Sequence, residues 1–399
     1  MNAPTDTSPF STDQLTEIRS NFEHTGSEKI YLNHAAISPL SKRVKQRIHE
    51  HLERRSSGTI GTFPQDVMAV ETSRKYVMNM INAESEDRIA FVANTSHALN
   101  LVARGLHWEN GDRILTNDLE FPSNVYPYLN LEARGVATDF IAHQDGCITP
   151  EQVEKHISEQ TKMVAISAVQ FLSGYRPDLA KIGEVCRQYG TWFVVDGIQA
   201  IGATEVDVQA MKIHALASGG QKWLMSPMGT GFLYLAKELQ DLITDHDFGW
   251  LSVEEPWQLY NHDQPLDETA RRFETGTANM MGMHGMQATL EFMHEVGMQQ
   301  MYEHIYYLTG QLIAMGDEKL GLDLFTSREP HRRAGIISYK LPEGIESEAM
   351  MTTLKQNNLT VAIREGMLRI SPHFYNTVDE LEQAVDMVAG VLKTMKAEL

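Results

Sequence analysis

Residues Asp178 to Gln199 read DLAKIGEVCRQYGTWFVVDGIQ, and the fold follows from how this stretch divides. Asp178, directly after Pro177, suits a helix N-cap, because its carboxylate can accept a hydrogen bond from a first-turn amide that has no partner inside the helix. Gly190 stands where such a helix would stop, since glycine turns into the left-handed conformation without a steric penalty. The run Trp192 to Val195 is continuously apolar and rich in β-branched residues, as a strand covered on both faces must be, and it ends in the carboxylate of Asp196. A helix followed at once by a buried strand is half of a βαβ unit.

The same alternation extends outward. Arg88 to Val92, Arg113 to Thr116, Ala137 to Ile141 and Met163 to Ala168 are further strand candidates with helical patterns between several of them, so residues 30–276 are expected to form an α/β body with a mostly parallel sheet. Beyond it the pattern changes. Helical periodicity from Met280 to Leu320, a strand at Gly335 to Tyr339, a helix at Glu346 to Gln356, a strand at Met367 to Ile370 and a last helix from Val378 to Leu399 describe a smaller C-terminal α+β domain over residues 277–399. Residues 1–29 read as a polar arm with a helix from Thr12 to Phe22, expected to pack outside the larger body without a core role.

Composition narrows the partners. With 399 residues, 42% hydrophobic and 22% charged, the chain has the usual globular mix. The formal charge of −19 repels phosphate backbones and anionic lipid surfaces, so neither nucleic acid nor membrane is an expected partner. Apolar runs such as Met163 to Ile166 fall far short of a bilayer span, and the polar first residues do not resemble a secretory signal; a cytoplasmic protein is expected. Two cysteines, Cys147 and Cys186, make no disulfide framework and no CxxC pair, as suits a reducing compartment.

There is no GxxxxGK[ST], HExxH, GxSxG or GxGxxG after a strand, and the sixteen histidines show no ligand spacing, so no metal site is expected. Three features remain, each near the end of a candidate strand, where open α/β sheets bind ligands. Asp196 ends one strand two residues before Ile198 and three before Gln199; Lys222 follows the small residues Ser218, Gly219 and Gly220; Thr95 and Ser96 lie between a strand and a helix whose free amides would attract an anion.

Together these resemble the class V aminotransferase family of fold-type I enzymes that use pyridoxal 5'-phosphate (PLP). The family includes cysteine desulfurases, selenocysteine lyases, C–S lyases, kynureninases and isopenicillin N epimerases. VDGIQAIG, GGQKWL, MGTGFLY, RFETGT and LRISPHFYN occur in the family's order, and the likeness runs from Tyr31 to Asn376. It implies that Lys222 forms the internal aldimine and later moves protons at the substrate carbon. Asp196 would pair with the protonated pyridine nitrogen and Gln199 with the phenolic oxygen, while Thr95, Ser96, Ser218 and Gln221 would serve the phosphate. Phe121 stands where desulfurases have a ring-stacking histidine. Thr277 would reach the phosphate of a neighbouring subunit, which implies a homodimer with active sites completed across the interface. Arg369 would bind the carboxylate of a small amino-acid substrate, with Gln170 and His34 beside it and Arg364 near enough to meet a second acidic group.

Desulfurases of this family carry a nucleophilic cysteine on a loop before that arginine, whereas Arg364 to Arg369 reads REGMLR. The implied reaction is therefore β-elimination by a C–S lyase on a cysteine derivative, through an external aldimine and a Cα carbanion. Transamination and epimerisation share that carbanion and remain alternatives, and a catalytically silent scaffold of the same fold is a reading from another class.

Overall fold

The computed structural model describes residues 7–58, 61–244 and 247–397. Seven strands form the central sheet: β1 (Ile89–Val92), β2 (Arg113–Asn117), β3 (Ala137–Ile141), β4 (Thr161–Ser167), β5 (Trp192–Asp196), β6 (Ala215–Gly219) and β7 (Gly231–Leu235). Their order is β1-β7-β6-β5-β4-β2-β3. β3, β2, β4, β5 and β6 are parallel, and β7 runs antiparallel to both β6 and β1. β1 therefore points the same way as the parallel set, which brings the C-terminal ends of β1, β2, β4, β5 and β6 to one edge.

Eight helices matter to the site or its support: α1 (Thr12–Ser20), α2 (Lys42–Ser56), α3 (Phe63–Ile81), α4 (Thr95–Gly105), α5 (Leu179–Tyr189), α6 (Met280–Val296), α7 (Met298–Lys319) and, at the C-terminus, α8 (Val378–Ala397). α5 begins and ends as its sequence requires, with the Asp178 side chain accepting from Lys181 N and Gly190 at φ +65°. The single helical stretch expected from Met280 to Leu320 is two helices, because Gly297 at φ +94° breaks the hydrogen-bond ladder between α6 and α7.

The second sheet is antiparallel, with β8 (Asp323–Leu324), β9 (Ile337–Lys340), β10 (Ala362–Arg364) and β11 (Met367–Ile370) in the order β10-β11-β9-β8. Residues 398–399 of the expected last helix lie outside the described residues. The chain passes between the two bodies more than once. Ile30 and Tyr31 pair in parallel with Leu359 and Thr360, so Ile30 and Leu32 join the apolar core beneath the second sheet. Met283, Met286, Met301 and Ile305, from α6 and α7, pack instead into the core of the large sheet.

The N-terminal arm departs from expectation. Phe10, Ile18 and Phe22 are buried in the main core, and Phe22 stacks on Tyr375 with ring centroids 3.9 Å apart. Arg19 fastens α1 by donating to Tyr375 O at 2.8 Å and pairing with Glu380 at 2.7 Å. The average polarity of the segment hides three apolar anchors, and burying them outweighs that average. Among the described residues no helix is long and apolar enough to cross a membrane.

Candidate active site

The strand edge carries an anion cradle at the start of α4. Asn94 caps the helix by accepting from His97 N at 2.9 Å, and the amides of Thr95 and Ser96, first in the helix, have no partner within it. The Thr95 hydroxyl accepts from Gly219 N at 2.9 Å, which ties this helix start to the end of β6. Ser218 is turned the other way: it is fully buried and its hydroxyl donates to Gly219 O at 3.1 Å, so it does not line the cavity. Side chains alternate along a strand, so a serine displaced by one place is turned to the other face of it.

Past β6 the chain turns tightly. Ser226 N donates to Gly220 O and Met225 N to Lys222 O, with Met225 held at φ +51°. A side chain on Gly220 would meet Ser226 Cβ at 2.8 Å, so glycine is required at this close approach. Trp223 anchors the turn: it is buried, its indole donates to Gln199 Oε1 at 2.9 Å, and its carbonyl accepts from His373 Nε2 at 2.9 Å. Lys222 is left facing the cavity, with Nζ 5.6 Å from the centre of the Phe121 ring.

The electrostatics of this pair are set by desolvation. Burial pulls the Lys222 ammonium below the ordinary lysine range, opposed by Asp196 and reinforced by Arg369. Burial pushes the Asp196 carboxyl up, against a hydrogen bond to Oδ1 from Ile198 N and with help from the nearby charge of Glu120. Asp196 Oδ2 is buried with no hydrogen-bond partner among the described residues.

The opposite wall comes from the second sheet. Arg369, on β11, is buried, donates to Phe171 O at 2.8 Å, and has no ion-pair partner among the described residues. Burial, with Arg364 close by, pulls its guanidinium down to about 10, so it stays cationic at neutral pH. A buried cation facing an open cavity without a counter-ion is a receptor for an anionic ligand.

The cavity enclosed by these groups has a volume of about 370 Å³ and brings together Thr95, Ser96, Phe121, Gln199, Gln221, Lys222 and Arg369 from the sequence-based set. Asp196, buried two residues before the lining residue Ile198, is not among them, and neither is His34. His34 is fully buried with Nδ1 on Ser371 O at 2.7 Å and Nε2 on Tyr375 Oη at 2.6 Å, so both nitrogens are engaged, and its neighbour Ala35 forms the wall instead. Gln170 stands beside the lining residue Phe171, its amide nitrogen on Glu120 Oε1 at 2.9 Å and its buried Oε1 without a partner. Thr277 lines a separate cavity of about 290 Å³ with His97 and Gly276.

Sequence reasoning passed over Glu120. Its carboxylate accepts from Asn117, Asn124, Ser167 and Gln170, joining the ends of β2 and β4. The i,i+4 spacing of Glu120 and Asn124 was the available signal. Neither cysteine approaches the cavity. Cys186 is buried and pushed up to about 12, and burial also raises the Cys147 thiol, whose nearest polar contact is Asp145 O.

A model of the family "Aminotransferase class-V" matches residues 30–383. The chain belongs to the class V aminotransferase family. It is 30% identical to a probable cysteine desulfurase of Pyrococcus abyssi, over 93% of this chain and 96% of that one. Against a probable cysteine desulfurase of Methanothermobacter thermautotrophicus the identity is 27%, over 91% and 96%. The apo structure of a cysteine desulfurase from Thermococcus onnurineus superposes with a TM-score of 0.86 at 27% identity, covering 97% of this chain and all of that one. A cystine C–S lyase in complex with cysteine persulfide shares the fold at 21% identity, with a TM-score of 0.83 over 90% of this chain and 97% of that one.

This class V aminotransferase is accordingly a PLP-dependent enzyme of fold type I. Its cavity fits that cofactor on chemical grounds. A buried carboxylate oxygen without a donor, a buried amine of lowered basicity and two unpartnered helix amides are what a pyridine N–H, an aldehyde and a phosphate require.

Proposed function

We propose that this enzyme cleaves the C–S bond of a cysteine derivative by β-elimination and releases the sulfur product to solution instead of onto a protein thiol. The observation that carries the reading is the connection between β10 and β11. It consists of Glu365 and Gly366 alone, and it supplies neither a cysteine nor the length to carry one toward Lys222.

Asp196 would hold the ring nitrogen, Thr95, Ser96 and Gln221 the phosphate, and Phe121 one face of the ring. Gln199 keeps one amide hydrogen beyond the bond its Nε2 gives Ala35 O, and that hydrogen would serve the phenolic oxygen. When bound, PLP supplies an electron sink for negative charge at the substrate's Cα. Arg369 would grip the carboxylate through two parallel N–H···O bonds, fixing the Cα–H bond toward Lys222. Lys222 Nζ, uncharged more readily than a solvated lysine, would take that proton; the C–S bond then breaks and sulfur departs with its electron pair. Arg364 lines the same cavity and favours a substrate with a second acidic group.

We also infer a homodimer. Phe248, Trp250, Trp257, Leu259 and Tyr260 are exposed together, with Trp257 packed edge-on against both Phe63 and Trp250, and a patch of this kind suits a second copy. Thr277 would then serve the partner's phosphate. Two unpaired cysteines support a reducing, cytoplasmic setting.

The test is to incubate the PLP-loaded protein with cysteine conjugates and a panel of amino acids while following pyruvate, ammonia and sulfur products. Equimolar pyruvate and ammonia from a sulfur-bearing substrate is the expected result. Alanine formed together with a protein-bound persulfide would overturn it, and a pyridoxamine form rescued by a keto acid would assign transamination.

A further inference from the structure

We propose that His51, Asp66 and His284 form a binding site for a divalent transition metal of the zinc class, remote from the PLP cavity. The three side chains come from α2, the first turn of α3 and the second turn of α6, so no spacing along the chain marks them. His284 Nε2 lies 2.8 Å from Asp66 Oδ1, and His51 Nδ1 lies 3.5 Å from the same oxygen. One ligand atom from each residue lies within 4.8 Å of the other two. Zinc bonds of ~2.0–2.2 Å in a tetrahedron place neighbouring ligand atoms roughly 3.4 Å apart, so a small adjustment closes this set around an ion.

His51 supplies an independent observation. It is fully buried, and among the described residues neither ring nitrogen has a hydrogen-bond partner. A buried polar group without a partner is costly to leave unsatisfied, and coordination would satisfy the nitrogen that faces Asp66. Asp66 is oriented for the task, because its second oxygen accepts from Thr62 Oγ1 at 2.9 Å, the outer contact that a ligating carboxylate characteristically has. Asp66 is also the most exposed of the three, which leaves a side open for a water as fourth ligand.

The ion would join three helices. α2 and α3 both pack on α6, and another part of α6 carries Thr289, whose hydroxyl donates to Leu224 O, and Met286, which lies against Gly220. The site would therefore brace the helix on which the Lys222 turn rests. None of the three ligands lines the PLP cavity, so the role is structural.

The experiment uses the full-length, PLP-loaded protein, stripped with a chelator, dialysed and titrated with cobalt(II) and then zinc(II). One equivalent per subunit is expected, with the ligand-field absorption of a four-coordinate site, displacement by zinc and a higher melting temperature on zinc saturation. His51→Gln and Asp66→Asn should each weaken binding at least roughly tenfold. His49→Gln, an exposed histidine of the same helix, should leave it unchanged. Cofactor absorbance reports folding in every variant, and Asp66→Asn carries the test alone if His51→Gln does not fold. Substoichiometric binding, or equal affinity in wild type and Asp66→Asn, would overturn the proposal.

Discussion

Arg364 and Met367 face each other across the antiparallel pair β10–β11 with only Glu365 and Gly366 between them, at φ +47° and +72°. A two-residue turn of this hand matches the twist of its strands and is among the shortest connections a hairpin accepts. It presents Arg364 to the cavity and holds Arg369 two residues further along β11, so two cations and no thiol stand opposite Lys222.

Removing both thiols should therefore leave catalysis intact. A Cys147→Ser, Cys186→Ala double variant is expected to release pyruvate and sulfur product within about twofold of wild type, since neither raised thiol is a competent nucleophile. Loss of sulfur release with retained cofactor binding would assign one of them a sulfur-carrying role.

Lys222→Ala should keep cofactor bound non-covalently while turnover falls by roughly 10²–10⁴ or more, the usual share of a general base. Absorbance spectra after borohydride treatment, with single-turnover kinetics, check this. Normal turnover would remove the lysine from the mechanism.

Arg369→Met separates binding from stability. A buried guanidinium with no ion-pair partner among the described residues carries a desolvation cost until substrate arrives, so the variant should melt no lower than wild type, while KM for the amino acid rises by about 2–5 kcal/mol in equivalent terms. A lower melting temperature with an unchanged KM would make the residue purely structural.

His373 makes the fold sensitive to acid. Its Nε2 donates to Trp223 O and its Nδ1 accepts from Phe374 N, so the neutral tautomer is satisfied and a second proton has no place; its pKa falls to about 3 through burial. The unfolded chain takes that proton near ~6.5, so its stabilising contribution is complete above that pH and is lost as pH falls toward 3. At pH 5 the loss is about 2 kcal/mol, and His304, lowered to about 4 by burial, adds in the same direction. Thermal melts at pH 7 and pH 5 should show the drop, and His373→Gln should flatten it.

Much of this architecture was legible because burial on both faces writes itself as continuous apolar runs. β3 and β11 match their expected bounds residue for residue, and the Asp178 cap and Gly190 stop of α5 do the same work in the fold as in the reading. β6 escaped notice because ALASG is poor in β-branched residues; its smallness serves close packing of the lysine turn, and tertiary contacts override propensity there. Lys222, Gln199 and Arg369, each singled out by its motif, stand together on the lining of one cavity. Ser218 and His34 stand off that lining, because a motif records which residue is present without recording which way it faces. His51, Asp66 and His284 meet only in three dimensions.

The pairing of Ile30 and Tyr31 with Leu359 and Thr360 joins segments that lie far apart along the chain. During synthesis, the segment leading to Ala35 and Ala36 has no partner strand until residues 359 and 360 have left the ribosome. One wall of the cavity thus waits on a strand made long after it. A chain truncated before residue 359 would lose that wall's partner strand along with Arg369, so translation products that stop short of it are expected to be inactive.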